Sequence, residues 1–293
     1  MDETSSTTTP VCYRHPDRAT RLACSQCGRP ICVDCSHDAA VGQRCPECAK
    51  PDGRHQVIHA GRQMRRGTSF ETSPVTMSLI AINAAIFLVG IASPSLGDTI
   101  LNNFAQINLA VDGGEWWRAI TATFLHGTPM HILFNMYALY LLGGRMEPSV
   151  GSVPFAGIYL ASALAGSAAS YFLGPDITII NGTAFATSSV GASGAIFGLF
   201  GAWLVNAYRA RHTPAGRAML NQFGMLLLIN LALPLFIRNI DWRAHLGGLA
   251  AGALIAWAWS RITEPGRPGM VQRTSVAVFV GLPVLIAIVV SGL

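Results

Sequence analysis

From Pro74 onward the chain carries seven apolar stretches, near residues 75–92, 124–143, 154–173, 191–208, 219–237, 244–260 and 275–292, a few of them short or glycine-rich. A helix needs about 20 mostly apolar residues to cross the hydrocarbon of a bilayer. Within that hydrocarbon the chain must satisfy its own backbone polar groups, so runs of this length are expected to be helices. Composition agrees: 12% of the residues are charged, against about 25% in soluble domains, and 51% are hydrophobic, with a mean hydropathy of +0.41. A purely soluble globular protein is excluded.

All seven cysteines fall between Cys12 and Cys48, ahead of the apolar runs. They form the pairs Cys12-x2-His15, Cys24-x2-Cys27, Cys32-x2-Cys35 and Cys45-x2-Cys48, each a knuckle that grips one ion from a tight turn. Four pairs supply eight ligands, the number that two tetrahedral zinc ions require. An odd number of cysteines argues against a disulfide framework, and His15 completes the eighth position. This head has few large apolar residues, Leu22, Ile31 and Val33 among them, so metal binding would supply its folding energy. No ligand position is left for water, which makes the two zinc ions structural. Sequential pairing, or His37 in place of a cysteine, stays open on spacing alone.

The expected domains are a zinc module at 1–52, a polar linker at 53–74, a six-helix core at 75–262, and a short linker with a seventh helix at 263–293. The linker includes Arg62, Arg65 and Arg66, and its His55 and His59 read as solvated residues. The formal charge of +5 is spread along the chain as 19 Arg and one Lys, Lys50. Without a basic stripe, nucleic-acid binding is disfavoured. The first ten residues are polar, with about 70 residues before the first apolar run, so no secretory signal is expected and the head stays where it is made.

Basic residues orient the spans. Arg62, Arg65 and Arg66 precede span one, Arg145 follows span two, Arg209, Arg211 and Arg217 follow span four, and Arg261, Arg267 and Arg273 follow span six. These ends belong in the cytoplasm. The other side holds Arg118, Arg238 and Arg243 with five acids, Asp98, Asp112, Glu115, Asp176 and Asp241. The N-terminus is thus expected in the cytoplasm and Leu293 outside, with spans two, four and six running inward.

Ionisable groups within spans are costly enough to mark function. His131 and Asn135 lie in span two, Ser193 opens span four in Gly191-Ala192-Ser193-Gly194, and His245 opens span six in Ala244-His245-Leu246-Gly247-Gly248. Since these spans run the same way, the groups sit at one depth below the outer face. A serine beside a histidine is a nucleophile with its base. His131 and Asn135, four residues apart, share a helix face and can aim donors at one point, as an oxyanion hole requires. Gly194-x3-Gly198 and Gly248-x3-Gly252 let spans four and six approach closely. Each feature alone is commonly packing; their coincidence at one depth favours catalysis.

In order along residues 75–261 stand Trp117-Arg118, His126-x4-His131-x3-Asn135, Gly143-x3-Glu147-x3-Gly151, Gly191-Ala192-Ser193-Gly194, and Ala244-His245 followed by Gly248-x3-Gly252. This body resembles the rhomboid family of intramembrane serine proteases. The head resembles B-box and related double-zinc modules, in which pairs one and three share an ion and pairs two and four the other. That implies Cys12, His15, Cys32 and Cys35 in one site and Cys24, Cys27, Cys45 and Cys48 in the second.

The rhomboid resemblance implies an all-α polytopic membrane protein with a six-helix core plus one further helix. It implies Ser193 as nucleophile, His245 as base and then acid, no third carboxylate, and an oxyanion hole of His131, Asn135 and the Ser193 N–H. Asp241 reads as a solvated loop charge. Phe197 would pack on His245, His126 would support the loop near the site, Trp117 and Arg118 would anchor the first outer loop, and Glu147 would tie the inner end of span two. Span five, with Pro234 near its end, would be the gate. Substrates would be membrane-anchored proteins reached through the bilayer, with no cofactor in catalysis. The head could recruit substrate, bind a cytoplasmic partner or self-associate. The competing reading is a catalytically silent scaffold; zinc transport is disfavoured, since the spans lack a carboxylate–histidine cluster.

Overall fold

The computed structural model describes residues 9–39, 42–49, 68–180, 182–233, 236, 240–262 and 269–291. Lys50, His55, His59, Arg62, Arg65, Arg66, Pro234, Arg238, Arg267 and Leu293, used above for the linker, orientation and gate, lie outside the described residues. The chain divides into two compact units, Met1–Arg65 and Arg66–Leu293.

In the first unit, β1 (Val11–Cys12) pairs antiparallel with β2 (His15–Ala19), and β3 (His37–Asp38) pairs with β4 (Gln43–Arg44), ahead of the short helix α1 (Pro46–Ala49). Its core is Ile31, fully buried, among Cys12, Cys24, Cys32, Cys35 and Cys45. One aliphatic side chain is too little to hold a fold. Charged contacts add a rim: Arg18 donates to Asp34, Tyr13 donates to Glu47, and Arg14 lies 3.5 Å from Glu47.

The second unit is helical. It runs through α2 (Pro74–Ala92), α3 (Pro94–Phe104), β5 (Gln106–Ile107), α4 (Asn108–Asp112), α5 (Arg118–Thr121), α6 (Pro129–Val150) and α7 (Ser152–Leu173). A hairpin of β6 (Ile177–Ile180) and β7 (Thr183–Ala186) follows, then β8 (Ser188–Ser189), α8 (Ser193–Arg209), α9 (Pro214–Ala232), α10 (Trp242–Ile262) and α11 (Met270–Ser291). Among the described residues the seven long helices correspond to the seven apolar stretches. By length and composition alone, α2, α7 and the Arg273–Ser291 part of α11 suffice to cross a membrane. Of the others, α8 has only 17 residues, and α6, α9 and α10 carry polar and charged side chains.

Helix α6 starts five residues later than the apolar pattern suggests and ends seven later. The start is set by Thr128, whose Oγ1 accepts the His131 N–H at 3.2 Å, and by Pro129 in the first turn. At the other end Pro148 lies inside the helix. Proline has no N–H to give the Gly144 carbonyl; that carbonyl accepts Ser73 Oγ at 3.3 Å instead. Arg145 therefore sits within the helix rather than after it.

Glu147 is 1% exposed and accepts four hydrogen bonds: from the N–H groups of Val75 (2.9 Å) and Thr76 (2.8 Å), Thr76 Oγ1 (2.8 Å) and Ser152 Oγ (2.7 Å). A carboxylate against the first N–H groups of α2 satisfies donors no helix can satisfy itself and meets the positive end of its dipole. The expected tie is thus made, joining α6 to the starts of α2 and α7.

Helix α8 is the centre of the bundle, buried from Gly194 to Ala202. A Cβ at Gly248 would lie 1.8 Å from the Gly194 carbonyl oxygen, and one at Gly252 would lie 1.9 Å from that of Gly198. Helices α8 and α10 therefore touch backbone to backbone through both glycine stripes.

Candidate active site and metal centres

The nucleophile candidate opens α8. Gly191, two residues before it, has φ of +126°, a conformation L side chains rarely adopt. Its N–H donates to the Ala122 carbonyl at 2.9 Å, and a Cβ there would lie 2.7 Å from His131 Nε2. Glycine is thus required for both the turn and the approach of His131. Ser193 is half-buried at the first turn of α8, where backbone N–H groups have no helical acceptor.

His245 lies in the first turn of α10 and is 8% exposed. Its ring stacks on Phe197, with centroids 4.0 Å apart and planes 9° from parallel. Phe197 is one turn beyond Ser193, so the stack fixes the imidazole beside the start of α8. His245 Nδ1 has no hydrogen-bond partner among the described residues. Asp241 is not the solvated charge expected from sequence. Half-buried, it caps α10, accepting the Ala244 N–H at 3.2 Å and a hydrogen bond from Ser170 Oγ. Helix α7 closes the third side: a Cβ at Gly166 would lie 2.8 Å from the Ala244 oxygen and 3.2 Å from Gly194 Cα.

Asn135 is 7% exposed, and its Nδ2 donates to the His131 carbonyl at 2.9 Å, leaving its second amide hydrogen uncommitted by that bond. His126 is buried with its ring edge-on to His131 at 4.9 Å, and both ring nitrogens lack partners among the described residues. It sits where a support for the loop was expected.

Sequence reading missed one wall of the site. A cavity of about 20 Å³, room for one water, is lined by Gln106, Thr123, Ser167, Ser189, Ser193 and Ala244 among others. Gln106 is 1% exposed and donates from Nε2 to the Ser167 carbonyl at 2.9 Å. Its strand pairs with β8, matching Gln106 to Ser189 and Ile107 to Ser188, so the loop between α2 and α6 is joined to the segment that delivers Ser193. Arg118, 5% exposed, folds that loop: it pairs with Glu115 at 2.6 Å and donates to the Asn102 and Ala105 carbonyls, each at 2.9 Å. This is the anchoring role expected of it; Trp117 beside it is 39% exposed. The only signal in sequence for Gln106 was an uncharged polar residue between Ala105 and Ile107, which carries no periodicity.

In the first unit the ligand atoms gather into two groups, Cys12, His15, Cys32 and Cys35, and Cys24, Cys27, Cys45 and Cys48, each within 4.8 Å of one another. Pairs one and three thus meet, as do pairs two and four, and His37 is in neither group. None of the seven cysteines is in a disulfide. Hydrogen bonds from backbone groups, Cys45 first, hold the Cys24 thiol down at about 6, while hydrogen bonding to Cys45 and burial push Cys48 up to about 12. Four thiols this close cannot all ionise without a cation between them. The donor set fits a metal ion at each group.

An all-helical polytopic body with a serine and a stacked histidine at the meeting of three helices defines a class of membrane protein. Residues 113–262 match the Rhomboid domain, about half of the chain, and the chain belongs to the rhomboid family. It is 36% identical over 165 residues to Rhomboid protease GluP of Bacillus subtilis (strain 168), covering 55% of this chain and 29% of that protein. It is 31% identical over 185 residues to Putative rhomboid protease YdcA of the same organism, covering 63% of this chain and 87% of the relative. Rhomboid protease AarA of Providencia stuartii is 28% identical over 202 residues, covering 63% and 72%. The cysteine-rich head and α11 lie outside the matched domain.

Proposed function

We propose that this protein is an intramembrane serine endopeptidase that cleaves membrane-anchored proteins within or near their transmembrane segments by a Ser193–His245 dyad. The observation that carries this reading is the Phe197–His245 stack one turn from Ser193, with Ser193 and Ala244 lining one water-sized cavity. His245 accepts the proton of the Ser193 hydroxyl as Oγ bonds to the scissile carbonyl carbon. The resulting oxyanion is met by the Ser193 N–H, His131 and Asn135. Collapse breaks the C–N bond, and His245 returns the proton to the leaving amine. Water then attacks the acyl ester with His245 again as base, releasing the acid and restoring Ser193. Since Asp241 is committed to Ser170 and Ala244, the stack on Phe197, rather than a carboxylate, orients the imidazole. The proposed core is 75–262, with 1–52 a separate module, 53–74 a linker and 263–293 an added span.

The test is cleavage of tagged single-span substrates by purified protein in lipid. Ser193→Ala and His245→Ala should each lose at least about 10³-fold in rate. Equal cleavage by wild type and both variants would overturn the dyad; no cleavage by folded wild type across a broad panel would favour the scaffold reading.

The head is read as a double-zinc module. Around zinc, a tetrahedron of sulfur at about 2.3 Å and imidazole nitrogen at about 2.0 Å has edges of about 3.6 Å from S to N and about 3.8 Å from S to S. His15 Nδ1 lies 3.8, 3.4 and 3.5 Å from the sulfurs of Cys12, Cys32 and Cys35, and the Cys27 and Cys45 sulfurs lie 3.8 Å apart. These ions would supply folding energy, with no part in hydrolysis. The head is placed in the cytoplasm, as the arginines Arg145, Arg209, Arg211, Arg217, Arg261 and Arg273 orient the spans; there it is free to dock a cytoplasmic protein. Protease digestion of sealed, right-side-out vesicles should leave it intact.

A further inference from the structure

Helix α11 lies outside the Rhomboid match, yet it is built into the bundle along its whole length. Near its start, the Arg273 carbonyl accepts Trp259 Nε1 at 2.9 Å, and the Arg273 guanidinium donates to the Val150 carbonyl at 3.1 Å. Midway, small residues let it approach α7: a Cβ at Gly157 would lie 3.0 Å from Ala277 Cβ, and one at Gly281 would lie 3.1 Å from Ala161 Cβ. At its far end Ile288, 1% exposed, shares a buried cluster with Val111 of α4, Ala119 of α5 and Ala168 of α7, with Val284 and Tyr171 packed around it. Tyr171 donates to Asp112, beside Val111, and Ser291 at the end of α11 donates back to the Ile288 carbonyl at 3.0 Å.

That cluster stands directly behind the site. Val111 is five residues past Gln106, which pairs with Ser189 and lines the cavity with Ser193. The Ala119 carbonyl accepts Ser167 Oγ at 2.7 Å, and the Ala122 carbonyl, three residues on, accepts the Gly191 N–H at 2.9 Å. These contacts holding the loop to α7 and to the Ser193 approach are each within about five residues of Val111 or Ala119, which Ile288 covers. Sub-ångström placement of reacting groups matters for rate, and a packed methyl group removed from a core is not refilled without movement.

We infer that α11 is a brace for the active site, with Ile288 a positioning residue that holds the loop between α2 and α6 against α7 and so fixes the Gln106–Ser189 pairing and the turn before Ser193. The catalytic half of this inference rests on the proposed protease function; the structural half does not. Full-length Ile288→Ala in lipid should show about tenfold faster amide exchange over residues 104–124 and about tenfold lower kcat at unchanged KM. Ile288→Leu, which conserves volume, should restore both. The control is Phe279→Ala, on the same helix but 80% exposed, which should match wild type. If Ile288→Ala fails to fold, Ile288→Val takes its place. Unchanged exchange over 104–124 would overturn the brace whatever cleavage does, as would equal changes in Phe279→Ala, which would make α11 an ordinary anchor. Should wild type cleave nothing, the exchange comparison still decides the brace, while the protease reading alone fails.

Discussion

A methyl group added at Gly191 would meet His131 Nε2 and would have to adopt φ of +126°. Gly191→Ala is therefore expected to lower cleavage by more than about 100-fold, through displacement of both the His131 ring and the Ser193 turn. Gly182 is the matched control: its φ is +81°, but a Cβ there meets nothing within 4 Å. Gly182→Ala should cost about 1–2 kcal/mol in stability and leave kcat alone. At Phe197, alanine should reduce kcat about 10- to 100-fold by freeing the His245 ring, whereas tyrosine, which preserves the stacked face, should remain near wild type. Steady-state kinetics on one substrate compares all four variants.

At the scale of elements, Glu147 joins three helix ends. Glu147→Gln replaces one acceptor oxygen by a donor that faces N–H groups, leaving buried donors unpaired. A loss of about 3 kcal/mol is expected, read as a lower thermal midpoint with cleavage per folded molecule preserved. The helices and their glycine contacts were legible in sequence because each has a spacing, about 20 apolar residues and a glycine at every fourth position, while the Glu147 tie was legible only through the resemblance to the rhomboid family. The loop between α2 and α6 was not. Its fold comes from Arg118 reaching the Asn102 and Ala105 carbonyls and from Gln106 reaching the Ser167 carbonyl. Side chain to backbone bonds of this sort leave no period to read. Asp241 was misread for a related reason: a cap and a solvated loop charge look alike until Ser170 arrives from another helix. The start of α6 was written in Thr128-Pro129 and was overridden by apolar residues upstream.

At the scale of the whole molecule, the chain carries two units stabilised by different physics. The head has a core of one isoleucine among cysteines grouped as a metal site would group them; the body has a packed bundle. A strong chelator applied to the full-length protein should release two metal ions per chain, counted by elemental analysis. It should also abolish protection from amide exchange over residues 9–49 while leaving cleavage of a simple single-span substrate unchanged. Loss of cleavage together with the metal would tie the head to catalysis itself.

The Glu147 tie also bears on the order in which the protein is made. Val75 and Thr76 leave the ribosome before Glu147, and Ser152 follows it by five residues. Every partner of this carboxylate is thus present before α7 is complete, so the start of α2 and the end of α6 can clasp early in synthesis. The Ser193 site has no such privilege, since it waits for α8, for α10, and for a return of the chain to Gln106. A nascent chain stalled just after Ser152 would already hold Glu147 in a finished setting, while Ser193 and His245 would still be waiting to be made.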